Sequence, residues 1–156
     1  MGTYAIRTAF KTTWKIIMDF QYTDYSLIYY EVTTKLLLPK QRSGKFVQIR
    51  DTHNEIEHFI MSPANLSKYH ANIVERFCRS HNPQIAGEYN NAEFDYYDIY
   101  DCHWIVRGGG KWEIDDVIKT LKIFGFSKAY GSFDSEGLKD NLLNVDNLSG
   151  YRIQIC

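Results

Sequence analysis

Gly108–Gly131, GGGKWEIDDVIKTLKIFGFSKAYG, governs how the rest of the chain is read. It reads as two glycine-bearing turns around a strand. Gly108, Gly109 and Gly110 can take positive φ and bring bare backbone against a ligand, so this triplet is expected to be the first turn. Ile118, Leu121, Ile123 and Phe124, set among Lys119, Thr120 and Lys122, give the strand. The second turn, Gly125-Phe126-Ser127-Lys128-Ala129-Tyr130-Gly131, offers a hydroxyl, an ammonium and successive backbone N–H groups. Such a turn makes a concave seat for an anion.

The other elements are expected to build a sheet under that loop. Lys45–Arg50 alternates: Phe46 and Gln48 face one way, Val47 and Ile49 the other. Ile56–Met61 is its expected partner, with Asp51–Glu55 as the hairpin loop. Leu27–Leu38 is apolar and β-branched and ends at Pro39. Cys102–Val106 enters as a strand and leads to the glycine triplet. Tyr151, Ile153 and Ile155 alternate with Arg152 and Gln154 as a last strand. Ser135 is placed to cap a helix from Glu136 to Asn144, with Leu138 and Leu142 as its apolar stripe. Between the strands, Asn82–Asp101 carries five acidic residues and no Lys or Arg, which predicts a solvated acidic insert with its tyrosines leaning on the domain.

Composition bounds the function. A chain of 156 residues, 44% hydrophobic and 24% charged, has the size and balance of one soluble globular domain with a real core. A net charge of −1 gives no basic field for nucleic acid. No apolar run approaches the ~18 residues of a membrane span. Cys78, Cys102 and Cys156 are odd in number and widely spaced, which favours a reducing compartment over a disulfide framework. A cytoplasmic monomer is expected. Residues 1–18 are basic and acid-poor, with Ile6, Phe10, Trp14 and Ile17 at helical spacing. A surface-packed helix is the preferred reading there, over a mitochondrial transit peptide. His53 and His58 lack companions at ligand spacing, so no metal centre is expected.

A helix is predicted from Lys68 to Arg79, with Ser67 as N-cap and Tyr69, Ile73, Val74 and Phe77 as its buried stripe. His70 falls in its first turn. The partial positive charge of a helix N-terminus favours an anion and disfavours protonation of an imidazole. A neutral imidazole beside a phosphoryl group can accept a proton from water.

Four stretches together resemble the phosphohistidine phosphatase family, and within it the sex-regulated Janus and Ocnus proteins. They are Lys45-Phe46-Val47-Gln48-Ile49, Tyr69-His70-Ala71, Gly108-Gly109-Gly110-Lys111 and the Gly125–Gly131 loop. The resemblance covers residues 36–155, leaving 1–35 as an N-terminal extension. It implies an α/β fold, a single domain with a mixed sheet of about six strands and two main helices. It also implies metal-independent hydrolysis of phosphohistidine in a protein substrate, with no cofactor, and a role in sex-specific tissue. His70 matches the catalytic histidine. Lys45, Lys111, Gly108, Ser127, Lys128 and Ala129 match the phosphate site. Three positions depart from the pattern: Ser62 stands where the family has a strand arginine, Lys111 where it usually has arginine, and Ile114 where it usually has histidine. The alternative reading is a catalytically weakened member that binds phosphate or a phosphoprotein.

Overall fold

Phe46 and Val47 are neighbours on one strand, both are fully buried, and they point to opposite faces, so their sheet is covered on both sides. The computed structural model describes residues 18–81, 85–90 and 95–156. The expected helix of the first residues lies outside them up to residue 17. In chain order the elements are β1 (Asp19–Asp24), a helical turn (Ile28–Thr33), β2 (Gln41–Asp51), β3 (Ile56–Pro63), α1 (His70–Ser80), β4 (Gly87–Tyr89), β5 (Tyr97–Ile99), β6 (Trp104–Asp115), β7 (Thr120–Phe124), α2 (Leu138–Leu143) and β8 (Arg152–Ile155). Six strands form one sheet in the order β1-β3-β2-β6-β7-β8. β1 runs parallel to β3 and β8 parallel to β7, and the inner pairings are antiparallel. This is the expected mixed α/β sheet. Parallel neighbours cannot be joined by a tight hairpin, and α2 lies within the crossover from β7 to β8.

Each face of the sheet has its own core. Phe46, Phe59, Trp112, Leu121, Ile123 and Ile153 pack with Leu138 and Leu142 of α2. Val47, Ile49 and Ile60 pack with Ala71, Ile73, Val74 and Phe77 of α1 on the other face. Burying each large side chain of that helix stripe is worth roughly 1.5–3 kcal/mol, which holds α1 on the sheet. Among the described residues, no helix is long and apolar enough to cross a membrane.

Several local expectations are corrected. The glycine triplet is not a turn but the middle of β6, paired with Phe46, Val47 and Gln48 of β2. The register slips between Gln48 and Ile49, leaving Arg107 as the extra residue of a bulge. Ile118 is not in β7; it is 65% exposed in the preceding turn, where the Asp115 carboxylate accepts from the N–H groups of Val117 and Ile118. Ser67 does not cap α1. Its hydroxyl is buried against that of Ser62 at 2.7 Å, and the helix begins instead at Tyr69, whose N–H donates to the Asn72 side chain. α2 starts after Gly137 rather than at Glu136. The described part of the acidic insert is more than a solvated loop: β4 and β5 pair antiparallel, and Tyr97 is buried in the α1-side core.

Candidate functional site

His70, the first residue of α1, reaches across to the glycines of β6. The His70 ring packs on the bare Cα of Gly109: a Cβ there would lie 2.9 Å from His70 Cδ2 and 2.5 Å from the Phe46 carbonyl oxygen. Only glycine admits the ring at this distance. His70 Nε2 lies 2.9 Å from the Gly110 carbonyl oxygen. A carbonyl can only accept, so Nε2 carries the proton and Nδ1 keeps the lone pair in the neutral ring. His70 is itself buried, 7% exposed. Burial lowers its pKa, the bond to Gly110 works the other way, and Lys45 and Lys111 add to the lowering. The imidazole is therefore neutral at pH 7, with Nδ1 available.

Lys45 and Lys111 are directly opposite each other on β2 and β6, and Ser62 is opposite Lys45 on β3. Cross-strand partners share a face. Lys45 is two residues from Val47, so this row lies on the α1 side of the sheet, beside the helix N-terminus. Lys45 is half-buried, and burial followed by the charge of Lys111 lowers its pKa. Among the described residues, neither ammonium has a carboxylate within ion-pair distance. Two uncompensated cations beside a helix N-terminus make a seat for an anion.

The serine loop is tied to the same place. The Gly131 carbonyl accepts from both Gly109 N–H (3.2 Å) and Ser127 N–H (3.0 Å). Ser127 is buried, and its hydroxyl oxygen accepts from Tyr130 N–H at 3.0 Å. Gly131 N–H is also spent within the loop, on the Ser127 carbonyl. The N–H groups of Lys128 and Ala129, at the turn of the loop, find no acceptor among the described residues and are open to an anion. Beyond the loop, the Gln48 side chain grips the backbone of Asp134 with two bonds of 2.7 Å, donating to its carbonyl and accepting from its N–H.

The structure thus gathers His70, Lys45 and Lys111 and ties the Ser127–Ala129 loop to the same glycine segment. Gly108 stands apart: it has φ +144° and is packed against the Ser132 carbonyl, while Gly109 and Gly110 are the glycines that meet His70. The sequence reading placed all three in a turn against a ligand and did not pair Gly109 and Gly110 with His70, although a run of three glycines on a strand was the available signal. It also missed Trp112, whose Nε1–H donates to the carbonyls of Lys45 (2.9 Å) and Ser62 (3.2 Å) and so fixes the strands that carry the row. Ile114 is buried in the α2-side core, away from this face.

No curated protein matches the chain. The model of the Janus/Ocnus family (Ocnus) matches residues 38–147, which include β2, α1, β6 and the serine loop. With well over half of its length matched, the chain belongs to the Janus/Ocnus family.

Proposed function

We propose that this protein hydrolyses the phosphoramidate bond of phosphohistidine in a protein substrate, without a metal at the reacting phosphorus. The observation that carries the reading is a neutral, buried histidine whose Nδ1, among the described residues, has no hydrogen-bond partner, flanked by two ammonium groups that have no carboxylate partner among them. Water attacks phosphorus as His70 Nδ1 takes its proton. The P–N bond breaks, its electron pair stays on the substrate imidazole nitrogen, and that nitrogen takes up the proton that His70 received, directly or through solvent, as inorganic phosphate forms and His70 returns to its neutral state. Lys45, Lys111 and the N–H groups of Lys128 and Ala129 hold the phosphoryl oxygens, the usual protein contribution to phosphoryl transfer. Each charged hydrogen bond made in the transition state is worth about 1.5–3 kcal/mol, or ~10- to 100-fold in rate. His70 attacking phosphorus directly is the other route through the same nitrogen, and trapping of a phosphoenzyme separates the two.

A second reading, a phosphate or phosphoprotein binder without turnover, is favoured by one observation. Ser62, in the Lys45–Lys111 row, brings a hydroxyl rather than a cation and is fully buried. The deciding experiment is phosphate release from a phosphohistidine peptide by the purified chain, with and without chelator. Turnover that survives chelation and vanishes in His70→Ala supports the enzyme; phosphate binding with no release supports the binder.

A further inference from the structure

We propose that Asp101, Cys102 and His103, together with His53, form a binding site for one zinc-class divalent ion at the end of the sheet away from His70. The ligand atoms of Asp101, Cys102 and His103 all lie within 4.8 Å of one another. The His53 ring faces that of His103 with centroids 5.4 Å apart and planes at 71°. Two imidazoles on one tetrahedral zinc, each nitrogen about 2.0–2.1 Å from the metal, place their centroids roughly 5 Å apart, so this pair is close to the required spacing.

The juxtaposition is built into the backbone. Thr52, beside His53 in the β2–β3 hairpin, donates from N–H (2.8 Å) and hydroxyl (3.0 Å) to the His103 carbonyl. The hairpin and the loop entering β6 are thereby held together. His103 is oriented as well: Nδ1 lies 2.9 Å from Asp101 Oδ1, which also accepts the His103 N–H. A carboxylate that takes the Nδ1 proton leaves Nε2 as the lone-pair nitrogen, the arrangement that commonly orients metal-bound histidine. Cys102 thiolate, His103 Nε2 and His53 supply three ligands, water completes the set, and Asp101 orients His103 from behind. One thiolate with two imidazoles suits zinc and its neighbours rather than magnesium or calcium. Binding releases the Cys102 thiol proton to solvent.

All four side chains are exposed, so ligation demands no rearrangement of a core. The cluster and Gly109 are separated along β6 by about 20 Å of extended chain, so the ion takes no part in chemistry at His70. Its effect is to clip the β2–β3 hairpin to the start of β6. Sequence spacing hid the site because the companions of His53 lie on a distant loop.

The test uses the full chain, reduced and stripped with chelator, titrated with Co²⁺ as a spectroscopic stand-in. Thiolate-to-cobalt charge-transfer absorption should saturate at one equivalent and be displaced by Zn²⁺. Cys102→Ser should abolish the band, Cys156→Ser should leave it, and His53→Ala should weaken binding at least ~10-fold. Zn²⁺ should raise the melting temperature of the wild type and not of Cys102→Ser. A band that persists in Cys102→Ser, an unchanged affinity in His53→Ala, or no saturable binding by the wild type overturns the proposal. Circular dichroism confirms that the variants are folded.

Discussion

His70 donates its Nε2 proton to the carbonyl oxygen of Gly110 across 2.9 Å, and that one bond selects which ring nitrogen can react. It fixes the tautomer from the backbone, and among the described residues no carboxylate pairs with the ring. A carboxylate there would raise the basicity of the ring; the carbonyl aims it with a weaker effect. His70→Ala should therefore abolish hydrolysis of phosphohistidine peptide, a loss of at least ~10²-fold, while the circular dichroism spectrum stays that of the wild type. Full activity in the purified variant would falsify the assignment.

Burial, with the added charges of Lys45 and Lys111, holds His70 below the ordinary histidine range. A base must be unprotonated to act, so the acid limb of kcat/KM should fall below the ordinary value of about 6.5. Lys111→Met removes a cation that opposes protonation. The limb should move to higher pH as kcat drops. A limb that stays in place while kcat drops would separate Lys111 from His70.

Gly109→Ala tests the seat of the ring. The new Cβ would meet the Phe46 carbonyl at 2.5 Å and the His70 ring at 2.9 Å, and the first of these is backbone that cannot yield cheaply. Overpacking of this kind costs about 1–3 kcal/mol. Activity should fall further than stability does, because the ring must leave Gly110. Equal kinetics in wild type and variant would show that the ring tolerates the shift.

Ser62→Arg places on β3 the guanidinium that the family resemblance implies there. Ser62 is on the same face as Lys45 and Lys111, but it is fully buried and bonded to Ser67. Breaking that pair to admit an unpaired buried charge should cost on the order of 3 kcal/mol. The melting temperature should fall, and inorganic phosphate should recover part of the loss by giving the guanidinium a partner. Phosphate that stabilises wild type and variant equally would place the new side chain outside the site.

His58 is buried between Phe77, His81 and Trp104, and burial, with His81 adding to it, lowers its pKa to about 4. The unfolded chain takes up that proton near 6.5 and the folded one only near 4. Stability is thus fully present above about pH 6.5 and is lost as pH falls toward 4, by up to roughly 3 kcal/mol. His58→Phe should flatten this part of the urea-unfolding profile against pH. An unchanged slope would assign the acid sensitivity to other groups.

Patterns that repeat along the chain were legible without coordinates. Phe46 against Val47 and Ile49 announced a two-sided strand, and Ile73, Val74 and Phe77 announced the buried face of α1, because both periodicities follow from local backbone geometry. His70 in a first helical turn was legible for the same reason. What the chain concealed was every relation between distant segments. The glycine triplet has the same composition whether it turns or runs through a strand; the pairing with Phe46, Val47 and Gln48 decided that. The proton on Nε2 depends on a carbonyl that follows from no side chain, Ser67 gave up the cap for a hydroxyl partner on β3, and His53 met His103 only through the hairpin. Local periodicity is written residue by residue, whereas register, tautomer and contacts between distant segments arise only when the sheet closes and its burial energy selects one set of neighbours.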